Sequence, residues 1–270
     1  MPLTFLLKFR CEEPIEVKSL YPKTVHGLFF SILGQEVGEL FHKGNLKPFS
    51  LFFRDFFKEP EEGKAASFTL ELNLLDDSLY PKLARELTFF AMERSPEVKG
   101  VPVNLVWFKV IRGTTYEELH SLPQERDFTL RFLTPTSFKK GDADYPLPVP
   151  ELVVKSLLRK WNRFSPYKFE PKELIDYAKN FLAPSGCWIR TKKFEISEKA
   201  KAVGFTGQIF FYSLKRTPLN GQLHSLFKFA SYAGVGRKTT MGMGKCLLLS
   251  TPEDKGSGAE EEKPLKEEEQ

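Results

Sequence analysis

The chain is poor in the residues from which most redox and metal centres are built. Its three cysteines, Cys11, Cys187 and Cys246, are far apart and odd in number. They form no CxxC pair and no disulfide framework, and a reducing cytoplasm is the expected compartment. There are four histidines, and no two stand at zinc-ligand spacing. No carboxylates cluster with metal-ligand spacing either, so neither a metal nor a cofactor is expected. No apolar run approaches the roughly 18 residues of a membrane span, which argues against a membrane partner. The segment Met1-Pro2-Leu3-Thr4 leads straight into a strand-like pattern containing Lys8 and Arg10, unlike a secretory signal.

Phenylalanine, at 26 residues, and basic charge in one half are abundant. Residues 1–125 hold 15 basic and 18 acidic side chains, whereas residues 126–251 hold 22 and 9. A positive field concentrated in the second half suits a polyanionic partner better than it suits mere solubility. Residues 252–270 are acidic, with the run Glu260-Glu261-Glu262 and no apolar period. They read as a disordered tail.

Periodicity predicts a repeated order of elements. Strand patterns span 3–10, 49–57, 68–75 and 101–111. Helical patterns span 22–41, with Val25, Leu28, Phe29, Ile32 and Leu33 at helical spacing, and 79–93. That is β-α-β-β-α-β. A second set follows: strands at 128–134, 188–196, 203–214 and 243–249, with helices at 150–163, 171–182 and 219–233. The expected fold is α+β, two tandem ferredoxin-like (βαββαβ) units with a cleft between them. The expected division is a first unit over 1–113, a linker over 114–125, a second, RNA-binding unit over 126–251, and the tail over 252–270.

Between the last helix and the last strand lies Gly234-Val235-Gly236-Arg237-Lys238-Thr239-Thr240-Met241-Gly242-Met243-Gly244. Four glycines permit close backbone approach, and exposed N–H groups beside Arg237, Lys238, Thr239 and Thr240 could surround phosphates. The loop is no dinucleotide fingerprint, because Thr239 stands where the third glycine belongs. It is no Walker loop, because the lysine and hydroxyl spacing is wrong. Arg190, Lys192 and Lys193, on a strand of the second unit, are further candidates for phosphate contact. Exposed aromatics could stack bases, but with 37 aromatic residues most must be core and none is singled out.

This Gly-x-Gly-x-Lys-Thr-x-x-Gly-x-Gly loop before a final strand resembles the RAMP superfamily of CRISPR-associated proteins. So does the stretch Phe132-Leu133-Thr134-Pro135-Thr136-Ser137-Phe138-Lys139. Length and element order resemble most the superfamily's precursor-RNA processing endoribonuclease. The resemblance implies CRISPR repeat precursor RNA as partner and a metal-independent cut. The 2′-hydroxyl attacks the adjacent phosphate and leaves a 2′,3′-cyclic phosphate and a 5′-hydroxyl. Relatives that only hold RNA share the loop, so a noncatalytic RNA-binding subunit of a CRISPR ribonucleoprotein is the alternative. Monomer or homodimer, and membership of a larger effector complex, are left open.

Such a cut needs proton transfer, which suits histidine, and a cation for the crowded phosphate, which suits lysine. His120, in the expected linker, and His224, inside the last helix, are expected to be structural or solvent-exposed. By the resemblance, His42 in Leu40-Phe41-His42-Lys43-Gly44 is the acid or base, and Lys47 is the cation, with Lys43 competing. His26 is the complementary proton-transfer group. On one straight helix, His26 and His42 would stand about 24 Å apart at roughly 1.5 Å per residue. Two-histidine chemistry therefore requires the helix to break near Gly34 to Gly38.

Overall fold

The computed structural model describes residues 1–17, 20, 22–53, 63–93 and 96–249. The first unit runs β1 (Leu3–Glu16), α1 (Pro22–Ile32), α2 (Gln35–His42), β2 (Phe49–Phe53), β3 (Lys64–Leu74), α3 (Tyr80–Glu93), β4 (Glu97–Val98) and β5 (Val101–Gly113). Its antiparallel sheet has the order β2-β3-β1-β5, with the two-residue β4 added beside β5. Strand alternation sends Phe5, Leu7 and Phe9 of β1 and Leu70, Leu72 and Leu74 of β3 to one face. There Phe29 and Ile32 of α1 and Leu83 and Leu87 of α3 close a core. The strand expected over 49–57 is described only to Phe53, and its remainder, like the acidic tail, lies outside the described residues.

The segment expected to be a linker carries a helix of its own, α4 (Tyr116–His120). Thr115 and Glu118 form a reciprocal capping box at its start. The Tyr116 hydroxyl donates to the Leu75 carbonyl at 2.8 Å, which ties α4 back to the first unit. His120 stacks on Tyr167 with ring centroids 4.6 Å apart.

The second unit runs β6 (Asp127–Thr136), β7 (Phe138–Lys140), β8 (Ala143–Tyr145), α5 (Pro150–Phe164), α6 (Pro171–Phe181), β9 (Leu182–Ser197), β10 (Ala200–Ser213), α7 (Leu219–Ala233) and β11 (Cys246–Leu249). Its sheet order is β11-β6-β10-β9, which repeats the β2-β3-β1-β5 arrangement strand for strand in reverse listing. Phe128, Leu130 and Phe132 of β6 pack with Leu157 and Trp161 of α5 and Leu226 and Phe227 of α7. His224, on α7, faces the Pro123 carbonyl through Nδ1 at 3.0 Å. Among the described residues no helix is long and apolar enough to cross a membrane.

The two units meet through polar groups. On β1 and β3 three of the residues opposite the apolar ones, Thr4, Glu71 and Asn73, are buried rather than solvated. Asn73 bonds Thr4, Ser50 and Glu71. The Ser50 hydroxyl donates to the Tyr232 carbonyl at the end of α7. The Lys245 ammonium pairs with Glu71, donates to the Ser231 carbonyl at 2.9 Å, and lies 4.7 Å from the Phe52 ring centroid. Burial pushes the Glu71 carboxyl up, but Lys245 and then Arg112 pull it down further, and the net shift is downward. A cleft of about 450 Å³ opens beside this seam, lined by Lys23 and Thr24 of α1, Lys99 between β4 and β5, and Ser197, Glu198 and Lys199 at the β9–β10 turn.

Candidate active site at the seam between the units

The helix break falls at Leu33 and Gly34. α1 stops at Ile32, the Gly34 N–H turns to Glu86 Oε2 at 3.0 Å, and α2 begins at Gln35. The return of α2 is fixed by Phe41, fully buried against Phe29 and Phe49 with centroids 5.7 and 5.3 Å away. His42, at the end of α2, is thereby carried back to α1. Its ring lies 4.0 Å from Phe30 and 6.2 Å from His26, centroid to centroid. Phe30 stands four residues after His26, hence on the same side of α1, and forms an apolar backing for both imidazoles. A separation of 16 residues has become a pair.

His26 is half-buried, and its Nδ1 lies 2.7 Å from the Thr240 carbonyl oxygen. A carbonyl oxygen only accepts, so Nδ1 carries the proton and Nε2 keeps its lone pair. Burial lowers the His26 pKa below its ordinary value. The hydrogen bond to Thr240 opposes this, and the nearby His42 and Lys47 charges add to the lowering. The result is a neutral imidazole of fixed tautomer at neutral pH, the state a general base requires. Lys47 donates from Nζ to the His42 carbonyl and, at 2.9 Å, to the Gly44 carbonyl. It therefore holds the end of α2 beside the pair. Lys43 is exposed one residue beyond His42.

Thr240 belongs to the glycine loop, so the loop reaches the histidines directly. The expectation of an open cradle of N–H groups does not describe it. The N–H groups of Gly234, Val235, Gly236 and Arg237 bond Ala230 O, Gly244 O, Ser156 Oγ and Ser137 O at 2.7–3.0 Å. The glycines serve close backbone packing. A Cβ on Gly236 (φ +80°) would meet Ser137 O at 2.4 Å, and one on Gly244 (φ +74°) would meet Val235 O at 2.0 Å. Gly234, Gly242 and Gly244 are buried, as is Thr239. Arg237 is paired with Asp144 of β8. Lys238 is exposed at a left-handed position and is the loop's outward cation.

Beneath the loop lies Lys160 of α5, which composition and periodicity do not single out. Its ammonium donates to the carbonyls of Ala233 and Gly234 and to Thr239 Oγ1 at 2.8 Å. Burial, with a smaller contribution from Arg159, presses its pKa down to about 7. Only its place at helical spacing in the apolar stretch around Leu157 and Trp161 hints at burial. Arg190, Lys192 and Lys193 are exposed on β9. Strand alternation puts Arg190 and Lys192 on one face and Lys193 on the other.

The model of the family described as CRISPR-associated endoribonuclease Cas6 matches residues 130–246. A Streptococcus thermophilus CRISPR-associated endoribonuclease Cas6 is 27% identical over 133 residues, 49% of this chain and 54% of that protein. A Mycobacterium tuberculosis protein of the same description is 30% identical over 131 residues, 46% of this chain and 40% of that protein. The match thus spans about half the length of these curated relatives, or less. Likeness to solved structures runs the whole length. A Cas6 product complex is 31% identical, with a TM-score of 0.79 over 92% of this chain and 99% of that one. Thermus thermophilus Cas6 is 29% identical, with a TM-score of 0.72 over 92% and 98%.

Proposed function

This chain belongs to the Cas6 family of CRISPR-associated endoribonucleases, and from that premise we propose that it cuts CRISPR repeat precursor RNA into guide RNAs without a metal ion. The observation that carries the proposal is the histidine pair, 6.2 Å apart, with His26 held in one tautomer by Thr240. His26 Nε2 takes the proton of the 2′-hydroxyl. The 2′-oxygen then attacks the neighbouring phosphorus, and His42 gives a proton to the departing 5′-oxygen. The products are a 2′,3′-cyclic phosphate and a 5′-hydroxyl. Two of the three Lys47 N–H bonds engage carbonyls, which leaves one for a phosphate oxygen as negative charge builds there.

In this reading, residues 1–113 carry the acid–base pair, 114–125 join the units, and 126–251 hold the RNA. Lys238, Arg190, Lys192 and Lys193 contact phosphates. Gly234, Gly236, Gly242 and Gly244, with Thr239, set the shape of the loop, and the Thr240 carbonyl orients the base. Arg237 contributes through its pairing with Asp144. The work is done in the cytoplasm, by a monomer or homodimer, alone or beside an effector complex.

The test is incubation with repeat RNA in excess EDTA, in parallel with the same RNA carrying hydrogen for the scissile 2′-hydroxyl. Cleavage that survives EDTA and stops on 2′-deoxy substitution is expected. A strict Mg²⁺ requirement, or cutting of the deoxy substrate, overturns the mechanism. Binding without any cutting would instead support the noncatalytic RNA-holding reading.

A further inference from the structure

Helices α5 and α7 cover only one face of the second unit's sheet. Phe128, Leu130 and Phe132 of β6 and Phe205, Ile209 and Phe211 of β10 point into that core. The alternate residues point the other way. One row across three strands reads Arg131, Gln208, Trp188, and the next reads Thr129, Phe210, Gly186. Trp188 is 72% exposed, the most exposed aromatic side chain among the described residues. It lies edge-on to Phe210 at 5.2 Å. Gly186 has no Cβ, which would stand 3.0 Å from Phe210 Cδ2, so the phenyl ring can settle against the strand. Tyr212, two residues on, carries the Arg126 guanidinium 4.6 Å from its ring centroid.

An exposed tryptophan normally costs solubility, and this one stands among cations. Arg131 and Arg190 are exposed on the same face, and Arg126 borders it. Asp127, opposite Tyr212, is the acid at its margin. Flat rings set among guanidinium groups on a four-stranded sheet complement one chemistry closely: unpaired bases joined by phosphates. A duplex keeps its bases stacked inside and has little to offer these rings. A basic protein surface without bases would be repelled.

We propose that this open face is a stacking platform for an unpaired stretch of RNA, with Trp188 as the principal stacking side chain, Phe210 and Tyr212 beside it, and Arg131 and Arg190 on the phosphates. The proposal rests on the reading that RNA is the substrate. It adds that part of that RNA is bound single-stranded, away from the histidine pair.

The test measures fluorescence anisotropy of a labelled oligouridine of about ten nucleotides and of a blunt RNA duplex. Wild type, Trp188→Ala, Trp188→Phe and Arg131→Ala are compared, with thermal melts and sedimentation of each. Trp188→Ala is expected to weaken oligouridine binding roughly ten- to a hundredfold, the loss of about one stacked base. Trp188→Phe should recover much of this, and duplex binding should barely move. Because Trp188 is exposed, its replacement should leave the melt unchanged. Unaltered oligouridine affinity overturns the proposal. So does an equal loss for the duplex, which would mean general charge, or a change of sedimentation, which would mean a face for a second copy. Cleavage of repeat RNA is read separately. Its absence in wild type would sink the nuclease reading and leave the platform standing.

Discussion

Replacing His42 by alanine is expected to slow cleavage by about 10²–10⁴ while repeat RNA still binds with nearly wild-type affinity. The size follows from losing one proton-transfer group in a reaction whose leaving group is a poor one. The selectivity follows from position. His42 is exposed at the end of α2, and its ring contacts are with Phe30 and His26 rather than with the core. Its removal should therefore cost little stability. Single-turnover rates and filter-binding affinities of the two proteins separate the effects. A variant that cuts at the wild-type rate removes His42 from the mechanism. One that neither cuts nor binds makes it a binding residue.

Replacing Lys245 by methionine is expected to destabilise the protein by about 3–5 kcal/mol, because the buried Glu71 carboxylate loses its principal cation. The Lys245 side chain is 7% exposed and that of Glu71 6%, so water screens the pair little. The same substitution removes the donor to the Ser231 carbonyl and the contact with Phe52. Adding Glu71→Gln to the methionine variant should return part of the loss, since the buried carboxylate is then gone. Urea unfolding with unchanged m-value measures this. A shift worth less than about 0.5 kcal/mol in the single variant would mean that the pair is solvated in solution. Because Lys245 directly precedes β11 while Glu71 lies on β3, the loss should also loosen the seam that presents Thr240 to His26.

Much of this was legible in the sequence where one element decides its own shape. The apolar period of 219–233 matches α7 at both ends, and the glycines after Leu33 foretold the turn that pairs the histidines. Other elements were hidden by local chemistry. β9 begins at Leu182, although Pro184, Ser185 and Gly186 suggest a loop. They are tolerated because β9 is an edge strand. α4 was marked by the Thr115–Glu118 capping box, a signal inside a segment expected to be a linker.

What the sequence could not carry is contact between units. The alternation Phe68-Thr69-Leu70-Glu71-Leu72-Asn73-Leu74 announces a sheet with one apolar face and one polar face, and such a polar face ordinarily meets solvent. Here part of it is covered by the second unit. The contact between His26 and Thr240 joins residues 214 positions apart. No pattern in either segment encodes it. Yet the loop's Thr240 carbonyl selects the tautomer of the candidate base.

That selection is the centre of the account, and the pH dependence of single-turnover cleavage tests it most directly, with wild type and His26→Ala compared. A base acts only when deprotonated, so the rate should rise with pH along a limb set by His26. Burial places that limb below the ordinary imidazole value of about 6.5. The rising limb should already be complete at neutral pH, and His26→Ala should be slow and lack it. The same limb persisting in His26→Ala would show that another group takes the proton, and would contradict the assignment of the base to the seam.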